Sequence, residues 1–430
     1  MEYTNKILYN KIHIFARNIL PREVLFVIAA IIAECNPPHT GHAHLISKVR
    51  RRFGDDTCVL VLLGGNYVQR GDLAFTDRYR RAAGAVSIGA DLVLELPFPY
   101  SCQTAQIYAT SAVTLLQSLA GVDALCFGSE SGNIDTLKEI ASYLSSTDFQ
   151  RASASEREEN PHKSYAQIRT DLIRSTLSPV AAGQASLPNN ILAIEYLLAL
   201  QALGSPIEPY TIERQGAYHS DDCVATGFMS AGAIRQAIRQ DGVSNIKPYI
   251  TAEFAHVLQD DLQKGMAPAD MERLSSVMLT HLRRICTEQD LSVYFDIDAA
   301  LAAKMKAALN KATNIQTFIS LLKAKHMTEA HLRRALLNAY FGVTSSDVHS
   351  APAFTRLLAS NTRGKESLKY LKQHSSLPIL SRPSDVRHIM DAQTRKAVEL
   401  ADFADSLYFL SVPTPQPVEK LYGFRPFIAE

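Results

Sequence analysis

Two histidines three residues apart, His39 and His42, stand on either side of Gly41. If a helix begins at Thr40, this spacing lets both imidazoles face one point near the first turn. A helix start carries free backbone N–H groups and partial positive charge, which suit a phosphate. Pre-aimed imidazoles and amides would stabilise the charge that develops when a nucleophile attacks the α-phosphate of a nucleoside triphosphate. Gly41 leaves room for a ligand to approach the backbone.

Two histidines near a turn can also be ordinary loop residues without a catalytic role. The elements predicted around them decide between these two interpretations. The apolar run from Val24 to Ala33 contains no charge and has the composition of a strand buried on both faces. An Asn- and Pro-rich turn and the predicted helix follow it. Basic residues precede the run, as in a signal peptide, but the run is too short to span a bilayer as a helix. We predict the first core strand here, expect no membrane association, and leave residues 1–23 as an unassigned N-terminal extension.

A second group of residues has the composition of a phosphate-binding site. Ser230 is a natural N-cap for a helix, and Arg235 follows about one turn later. A helix start with a nearby arginine can hold phosphate oxygens. Simple helix capping is the better explanation of Ser230 when this segment is taken alone, but the histidine motif upstream favours the phosphate-binding interpretation.

Composition limits the classes of function. The chain has 430 residues, a hydrophobic fraction of 47%, a charged fraction of 20% and a formal net charge of +1. It is therefore a globular protein large enough for two or three domains, and nucleic-acid binding would need a local basic face. The six cysteines form no C-x-x-C pair, which favours reduced thiols in the cytoplasm and argues against a structural metal site.

Strands and helices alternate in the first half of the chain. Buried strands are predicted at Cys58–Leu63, Asp91–Leu96, Asp123–Phe127 and Pro206–Ile212. This order predicts an α/β fold, a Rossmann-like doubly wound parallel sheet, over residues 24–250. Ligands bind such sheets at the carboxyl ends of the strands, so His39, the 66–70 loop and Gly128 should converge. The polar residues 145–164 are predicted to be a solvated connection.

Residues 251–430 show a different pattern. Amphipathic helices are predicted at 252–264, 269–287, 298–312, 314–323, 328–341 and 384–402, with little β signal. We predict a mostly α-helical C-terminal domain. Basic side chains crowd one short part of it, at Lys323, Lys325, Arg333 and Arg334. Such a cluster is commonly a solvated helix face, and it is also a candidate for RNA phosphate contacts.

Several segments carry a resemblance to a known family. They are Ala33–His42, Gly65–Gly71, Gly89–Pro97, Phe127–Glu130, Pro188–Tyr196 and Ser375–Ile379. The first resembles the signature of the His-x-Gly-His nucleotidyltransferase superfamily. Together, in this order from about residue 25 to the end of the chain, they resemble the tRNA(Met) cytidine acetate ligase family. The fold implied is of the nucleotidyltransferase type, with a C-terminal domain that binds tRNA.

The resemblance implies a reaction with ATP, acetate and elongator tRNA(Met). Acetate would be activated as acetyl-adenylate, and the acetyl group would pass to N4 of the wobble cytidine. His39 and His42 would be catalytic and Mg²⁺ would accompany ATP, with no tightly bound cofactor. The ATP contacts would be Ile32, Ala33, Glu34, Cys35, Asn36, Pro37, Pro38, His39, Thr40, Gly41, His42, Ala43, His44, Leu45, Gly128, Asn189, Arg214, Ser230 and Arg235.

Further residues are candidates for the other substrates. Gln69 and Arg70 could contact acetate or phosphate, since an arginine can bind a carboxylate bidentately. The chain departs from the family pattern around the adenosine pocket, at Cys35, Pro38 and Thr40, and in residues 298–304. Those departures concern nucleotide affinity and the tRNA-facing part more than the two histidines.

Two other classes of function stay open at this point. One is a nucleotidyltransferase that adenylylates another small acid or a phosphorylated cofactor precursor, which the long helical extension disfavours. The other is a tRNA-binding protein that keeps the nucleotide fold without catalysis, which His39, His42 and Arg235 argue against. The acid that drives ATP–pyrophosphate exchange separates these hypotheses.

Overall fold

The computed structural model describes residues 27–214, 227–324, 327–419, 423 and 425–429. The predicted N-terminal extension, residues 1–23, lies outside the described residues, as does Lys325 of the basic cluster. Among the described residues, no helix combines the length and the apolar composition needed to cross a membrane.

Ten strands are present in the described part of the chain. They are β1 (Ile28–Ala33), β2 (Cys58–Gly64), β3 (Tyr67–Val68), β4 (Asp72–Leu73), β5 (Leu92–Leu96), β6 (Ala124–Ser129), β7 (Glu208–Glu213), β8 (Thr355–Ser360), β9 (Ile379–Leu380) and β10 (Phe427–Ile428). The main sheet has the order β10-β8-β5-β2-β1-β6-β7, with β9 beside β8. Strands β5, β2, β1, β6 and β7 are parallel, and β8 runs antiparallel to β5. The small hairpin β3–β4 follows β2.

Helices α1–α9 of the first half are Thr40–Phe53, Arg78–Ser87, Ala105–Ser118, Ile134–Leu144, Thr147–Glu159, Tyr165–Thr176, Pro179–Ala185, Pro188–Ala202 and Ala231–Asp241. Helices α10–α17 are Ala252–Gln263, Ser275–Glu288, Ala299–Leu309, Ile315–Leu322, Glu329–Phe341, Ser345–His349, Thr362–His374 and Ala392–Tyr408. Short 3-10 turns occur at Tyr100–Cys102, Ser244–Tyr249, Met271–Leu274, Leu291–Val293 and Pro383–His388.

Strand β1 has the buried position that its sequence predicts. Ile28 and Ala30 pack into the core cluster on the face of the sheet covered by α3 and α8, while Ala29 and Ile31 pack into the cluster beneath α1 and α2. A strand with helices on both faces needs apolar side chains at every position, as this segment has. The predicted doubly wound parallel sheet is confirmed. Its strand order reverses between β1 and β6, and ligands bind at such a switch point.

Residues 145–164 are mostly exposed, as predicted for a solvated connection, but the sequence did not predict the helix α5 that occupies Thr147–Glu159. Ser146 caps this helix by accepting a hydrogen bond from the backbone N–H of Phe149. Only Phe149 and Ser153 are buried, so the helix lacks the apolar stripe by which it could be recognised.

The C-terminal half is mostly helical, but it also returns to the sheet. Strand β8 pairs with β5, and β9 and β10 pair with β8. These short strands carry too little periodic signal to be predicted from sequence alone. Strands β8–β10 therefore extend the sheet of the first half. The domain boundary at residue 250 stays a prediction.

Candidate nucleotide site

The turn between β1 and α1 places the two histidines together. His39 is the N-cap of α1, and its Nδ1 accepts a hydrogen bond from the backbone N–H of Gly41 at 3.0 Å. The centroids of the His39 and His42 rings lie 4.1 Å apart. Because Nδ1 of His39 is an acceptor, the proton of the neutral ring is on Nε2, which is then a hydrogen-bond donor. The predicted convergence of the imidazoles is confirmed.

Gly41 is required by this geometry. A Cβ atom on Gly41 would lie 2.7 Å from Cε1 of His39, closer than any real contact. A larger residue would displace the His39 ring from the cap. The glycine therefore makes room for the histidine as well as for a ligand.

Both imidazoles are held neutral at physiological pH. Burial lowers the pKa of His42 to about 4, and the positive charge of Arg214 contributes. Burial also lowers the pKa of His39, with smaller effects from His42 and Arg214. Neutral rings next to a helix start act as hydrogen-bond donors to phosphate rather than as fixed cations.

Buried polar atoms at the start of α1 have capacity for a ligand. Nδ1 of His42, Oγ1 of Thr40 and Nε2 of His44 are buried without a hydrogen-bond partner within the described residues. Buried polar atoms are nearly always paired in folded proteins, so three such atoms in one turn point to a polar ligand. The His44 ring also makes an edge contact with Phe228, with 5.6 Å between the ring centroids.

The end of β6 brings another group of predicted residues to this turn. Arg214 follows β7 and its backbone N–H donates to the Ser129 carbonyl at 2.9 Å. Its side chain lies over Gly128, where a Cβ would be 3.0 Å from Arg214 Cγ. Asn189 donates from its side-chain amide to Oε1 of Glu130 at 2.7 Å. Arg214 is also close enough to affect the pKa of both histidines.

The second predicted constellation reaches the same turn. Ser230 is the N-cap of α9 and accepts a hydrogen bond from the backbone N–H of Ala233 at 3.2 Å, so the predicted cap is confirmed. Nη1 of Arg235 donates to the backbone carbonyl of Asn36 at 2.6 Å. Burial lowers the pKa of Arg235, and nearby positive charges, including that of Arg70, act in the same direction. An arginine beside a helix start is suited to bind an anion.

The predicted acetate residues lie on the tip of the β3–β4 hairpin. The backbone N–H of Gln69 donates to Oε1 of Glu34 at 2.9 Å, which joins the hairpin to the end of β1. Arg70 next to it is exposed. The hairpin tip therefore lies beside the β1–α1 turn, as the convergence of strand ends predicts.

The basic cluster divides into exposed and buried members. Lys323, whose side chain is 52% exposed, pairs with Glu329 at 3.0 Å, and Arg333 donates to the same carboxylate at 3.0 Å. Arg334 is buried, and its Nη1 lies 3.3 Å from the carbonyl oxygen of Gln69, to which it donates. Arg334 thus contacts the hairpin tip rather than forming part of an open basic face.

Sequence reasoning missed Arg81 as a residue that shapes the site. This fully buried guanidinium on α2 donates to four carbonyl oxygens, those of Thr76, Glu34, Gly64 and Gly65, at 2.6–3.0 Å. It therefore ties the carboxyl ends of β1 and β2 together. Arg81 shares its helix with Arg78 and Arg80, and this concentration of arginines is the only feature that the sequence offers. It does not distinguish a buried arginine from an exposed one.

A metal site is not formed by protein side chains in the described parts of the chain. No group of three or more His, Cys, Asp or Glu residues there is arranged to hold an ion. A divalent cation would therefore bind chiefly through the phosphates of a nucleotide.

Comparison with known proteins defines the class first. Residues 27–421 match the HIGH Nucleotidyl Transferase family, so the chain is a nucleotidyltransferase-fold protein of this family. The curated relatives are more specific. The tRNA(Met) cytidine acetate ligase of Thermoanaerobacter sp. is 32% identical over 387 residues, 89% of this chain and 95% of that protein. The enzyme of the same name from Syntrophomonas wolfei is 32% identical over 405 residues, 90% of this chain and 95% of that protein. The chain belongs to the tRNA(Met) cytidine acetate ligase family.

Solved structures agree with this fold. Thermotoga maritima TmcAL in its apo form matches with a TM-score of 0.86 and 25% identity, covering 94% of this chain and 99% of that chain. The same protein bound with alpha-thio ATP matches with a TM-score of 0.84 and 24% identity over the same shares of the two chains. The resemblance stated from sequence motifs is confirmed.

Proposed function

We propose that this protein is an ATP-dependent ligase that acetylates the wobble cytidine of elongator tRNA(Met). Acetate attacks the α-phosphate of ATP to give acetyl-adenylate and pyrophosphate, and the exocyclic amine of the cytidine then takes the acetyl group. The names of relatives 32% identical to the chain support the substrates. We place the reaction in the cytoplasm, where tRNA is available.

The nucleotide lies across the switch point between β1 and β6. In this proposal His39 and His42 donate hydrogen bonds to the α-phosphate, and the remainder of Ile32–Leu45 shapes the pocket together with Gly128 and Asn189. Neutral donors stabilise the additional charge of the transition state without prior reorganisation. Mg²⁺ enters with ATP, and its ligands are chiefly phosphate oxygens.

The pyrophosphate leaves toward the arginines. Arg214 and Arg235 carry the positive charge near the turn, and Ser230 opens a helix beside them. These interactions become stronger in the transition state, when the bond between the α-phosphorus and the bridging oxygen breaks and negative charge accumulates on the pyrophosphate. The support is the contact of Arg235 with Asn36 at 2.6 Å, which brings α9 to the β1–α1 turn.

Acetate approaches from the hairpin side. Arg70 is the exposed cation there and Gln69 the adjacent amide, so both are proposed acetate contacts. For tRNA we propose phosphate contacts at the exposed Lys323 and at the half-buried Arg333. The buried Arg334 is proposed to position this surface through its hydrogen bond to the carbonyl oxygen of Gln69. Lys325 remains a sequence-based prediction.

A single observation carries the adenylation step: two histidine rings with centroids 4.1 Å apart in a turn with three unpartnered buried polar atoms among the described residues. The test is incubation of the protein with ATP, isotopically labelled acetate and tRNA, followed by mass analysis of the tRNA nucleosides. We expect labelled N4-acetylcytidine in elongator tRNA(Met) only when ATP is present. Incorporation with no requirement for ATP, or none at all, would contradict the proposal.

A further inference from the structure

Glu34 occupies a distinctive position at the end of β1. Its backbone carbonyl accepts a hydrogen bond from Arg81 at 2.6 Å, and its Oε1 accepts one from the backbone N–H of Gln69 at 2.9 Å. Its Cγ lies 3.9 Å from the position that a Cβ on Gly64 would take. The carboxylate is therefore fixed between the ends of β1 and β2 and the hairpin tip.

The second carboxylate oxygen of Glu34 is available. The side chain is only half-buried, and within the described ranges Oε2 makes no hydrogen bond. Oγ of Ser101, 3.6 Å from the position of a Cβ on Gly65, is buried and also unpartnered there. A fixed carboxylate with one oxygen still able to accept is suited to bind an N–H group of a substrate.

Hydrogen-bonding capacity decides which substrate suits this oxygen. Acetate and the phosphates of ATP have no N–H or O–H group to donate to a carboxylate, and arginines are the groups proposed to bind them. The cytidine amine is neutral and has N–H groups to donate. When its nitrogen attacks a carbonyl carbon it becomes strongly acidic, so an ordinary carboxylate can take its proton.

Cys35 does not compete for the acyl group. Burial raises the pKa of its thiol to about 12, although the positive charge of Arg81 acts in the opposite direction. A thiol with that pKa has almost no thiolate at neutral pH, and the thiolate is the nucleophilic form. The amine therefore attacks the acetyl-adenylate directly, without an intermediate on Cys35.

We propose that Glu34 is the general base of acetyl transfer, which rests on the proposed function and supplies a group that sequence reasoning left unassigned. The cytidine nitrogen forms a bond to the acetyl carbon, and the bond from that carbon to the adenylate oxygen breaks. AMP departs with the electron pair of that bond. The proton lost by the amine passes to Oε2 of Glu34 and later to solvent.

The test is the variant Glu34→Gln, which keeps a side-chain oxygen able to accept from Gln69. Two reactions are measured on the full-length protein: acetate-dependent ATP–pyrophosphate exchange and acetyl transfer to tRNA in a single turnover. We expect transfer to slow by roughly a hundredfold more than exchange does, which is the usual contribution of a general base.

Asp347→Asn is the matched control. Asp347 is also a half-buried carboxylate that accepts from a backbone N–H, that of Thr344 at 2.8 Å, and it lies outside the proposed machinery. The rates of exchange and transfer in this variant should equal those of the wild-type protein. Equal loss of exchange and transfer in Glu34→Gln, or unchanged transfer, would overturn the role of Glu34. Absence of acetate-dependent exchange in the wild-type protein would instead overturn the proposed function itself, and the role of Glu34 with it. Thermal unfolding of each variant shows whether it is folded.

Discussion

Arg235 donates a hydrogen bond from Nη1 to the backbone carbonyl of Asn36, 2.6 Å away, although the two residues are 199 positions apart. This contact joins the two segments for which we propose phosphate binding and which lie far apart in the sequence. Burial lowers the pKa of Arg235 and the Glu34 carboxylate at the end of β1 raises it, so the arginine lies near that strand end. The starts of α1 and α9 are therefore brought close to each other.

Arg235→Ala should impair use of ATP. Loss of a guanidinium that we propose to contact the leaving pyrophosphate would remove a charge-assisted hydrogen bond, and we expect kcat/KM for ATP in pyrophosphate exchange to fall roughly tenfold or more. The control is Arg239→Ala on the same helix, whose guanidinium lies 5.4 Å from the Phe75 ring centroid. Equal kinetics for the two variants would contradict the role of Arg235.

His42→Ala should nearly abolish adenylation. The proposed ring donates to the α-phosphate in the transition state, and removal of one such donor commonly costs roughly a hundredfold to a thousandfold in rate. Acetate-dependent ATP–pyrophosphate exchange measures it. His256→Ala, at an exposed position on α10, is the control and should be fully active. Unchanged exchange in His42→Ala would favour a non-catalytic tRNA-binding protein.

The ligand-free protein should lose stability on acidification. His42 has a pKa of about 4 when folded and an ordinary value of 6.5, so below neutrality the unfolded chain binds more protons. Stability from this group is complete above about pH 6.5 and is lost as the pH falls toward 4. We expect the free energy of unfolding to drop by about 2 kcal/mol between pH 7 and 5 from His42 alone. Urea denaturation of wild type and His42→Gln at both pH values measures it. An identical drop in the two proteins would rule out this cause.

Arg81→Met should destabilise the fold. Methionine fills similar space but leaves four buried carbonyl oxygens without their donor, and we expect a loss of about 3–5 kcal/mol in the free energy of unfolding. Exchange activity should fall too, because the ends of β1 and β2 lose their connection. Arg151→Met, at a side chain 82% exposed, should unfold at the wild-type denaturant concentration. A stable and active Arg81→Met protein would show that this network is dispensable.

Lys323→Glu should weaken tRNA binding without affecting adenylation. A lost phosphate contact lowers affinity and reduces the slope of log affinity against log salt by roughly one for each contact. Filter binding over a salt series measures both, with pyrophosphate exchange as the parallel readout. Lys138→Glu on α4 makes the same charge change at another exposed site. If affinity and slope are unaltered in Lys323→Glu, the tRNA contacts lie elsewhere.

The local sequence determined the elements of the nucleotide site. An apolar segment with Val and Ile on both faces specifies a central parallel strand, and short polar caps such as Ser230 specify helix starts, because these signals arise within a few residues. The spacing of His39 and His42 around Gly41 likewise determines that the rings share one side of the first turn. For this reason the sheet and the catalytic turn were predictable without any coordinates.

Only the tertiary structure decided which distant groups join them. Arg81 looks like any helical arginine in sequence, yet it is buried against four carbonyls, and Arg334 is enclosed where a basic surface is predicted. Strand β8 joins the sheet beside β5, although about 260 residues separate them. Such placements depend on packing between remote segments, where burial and pairing energies outweigh local preference, so no local pattern encodes them.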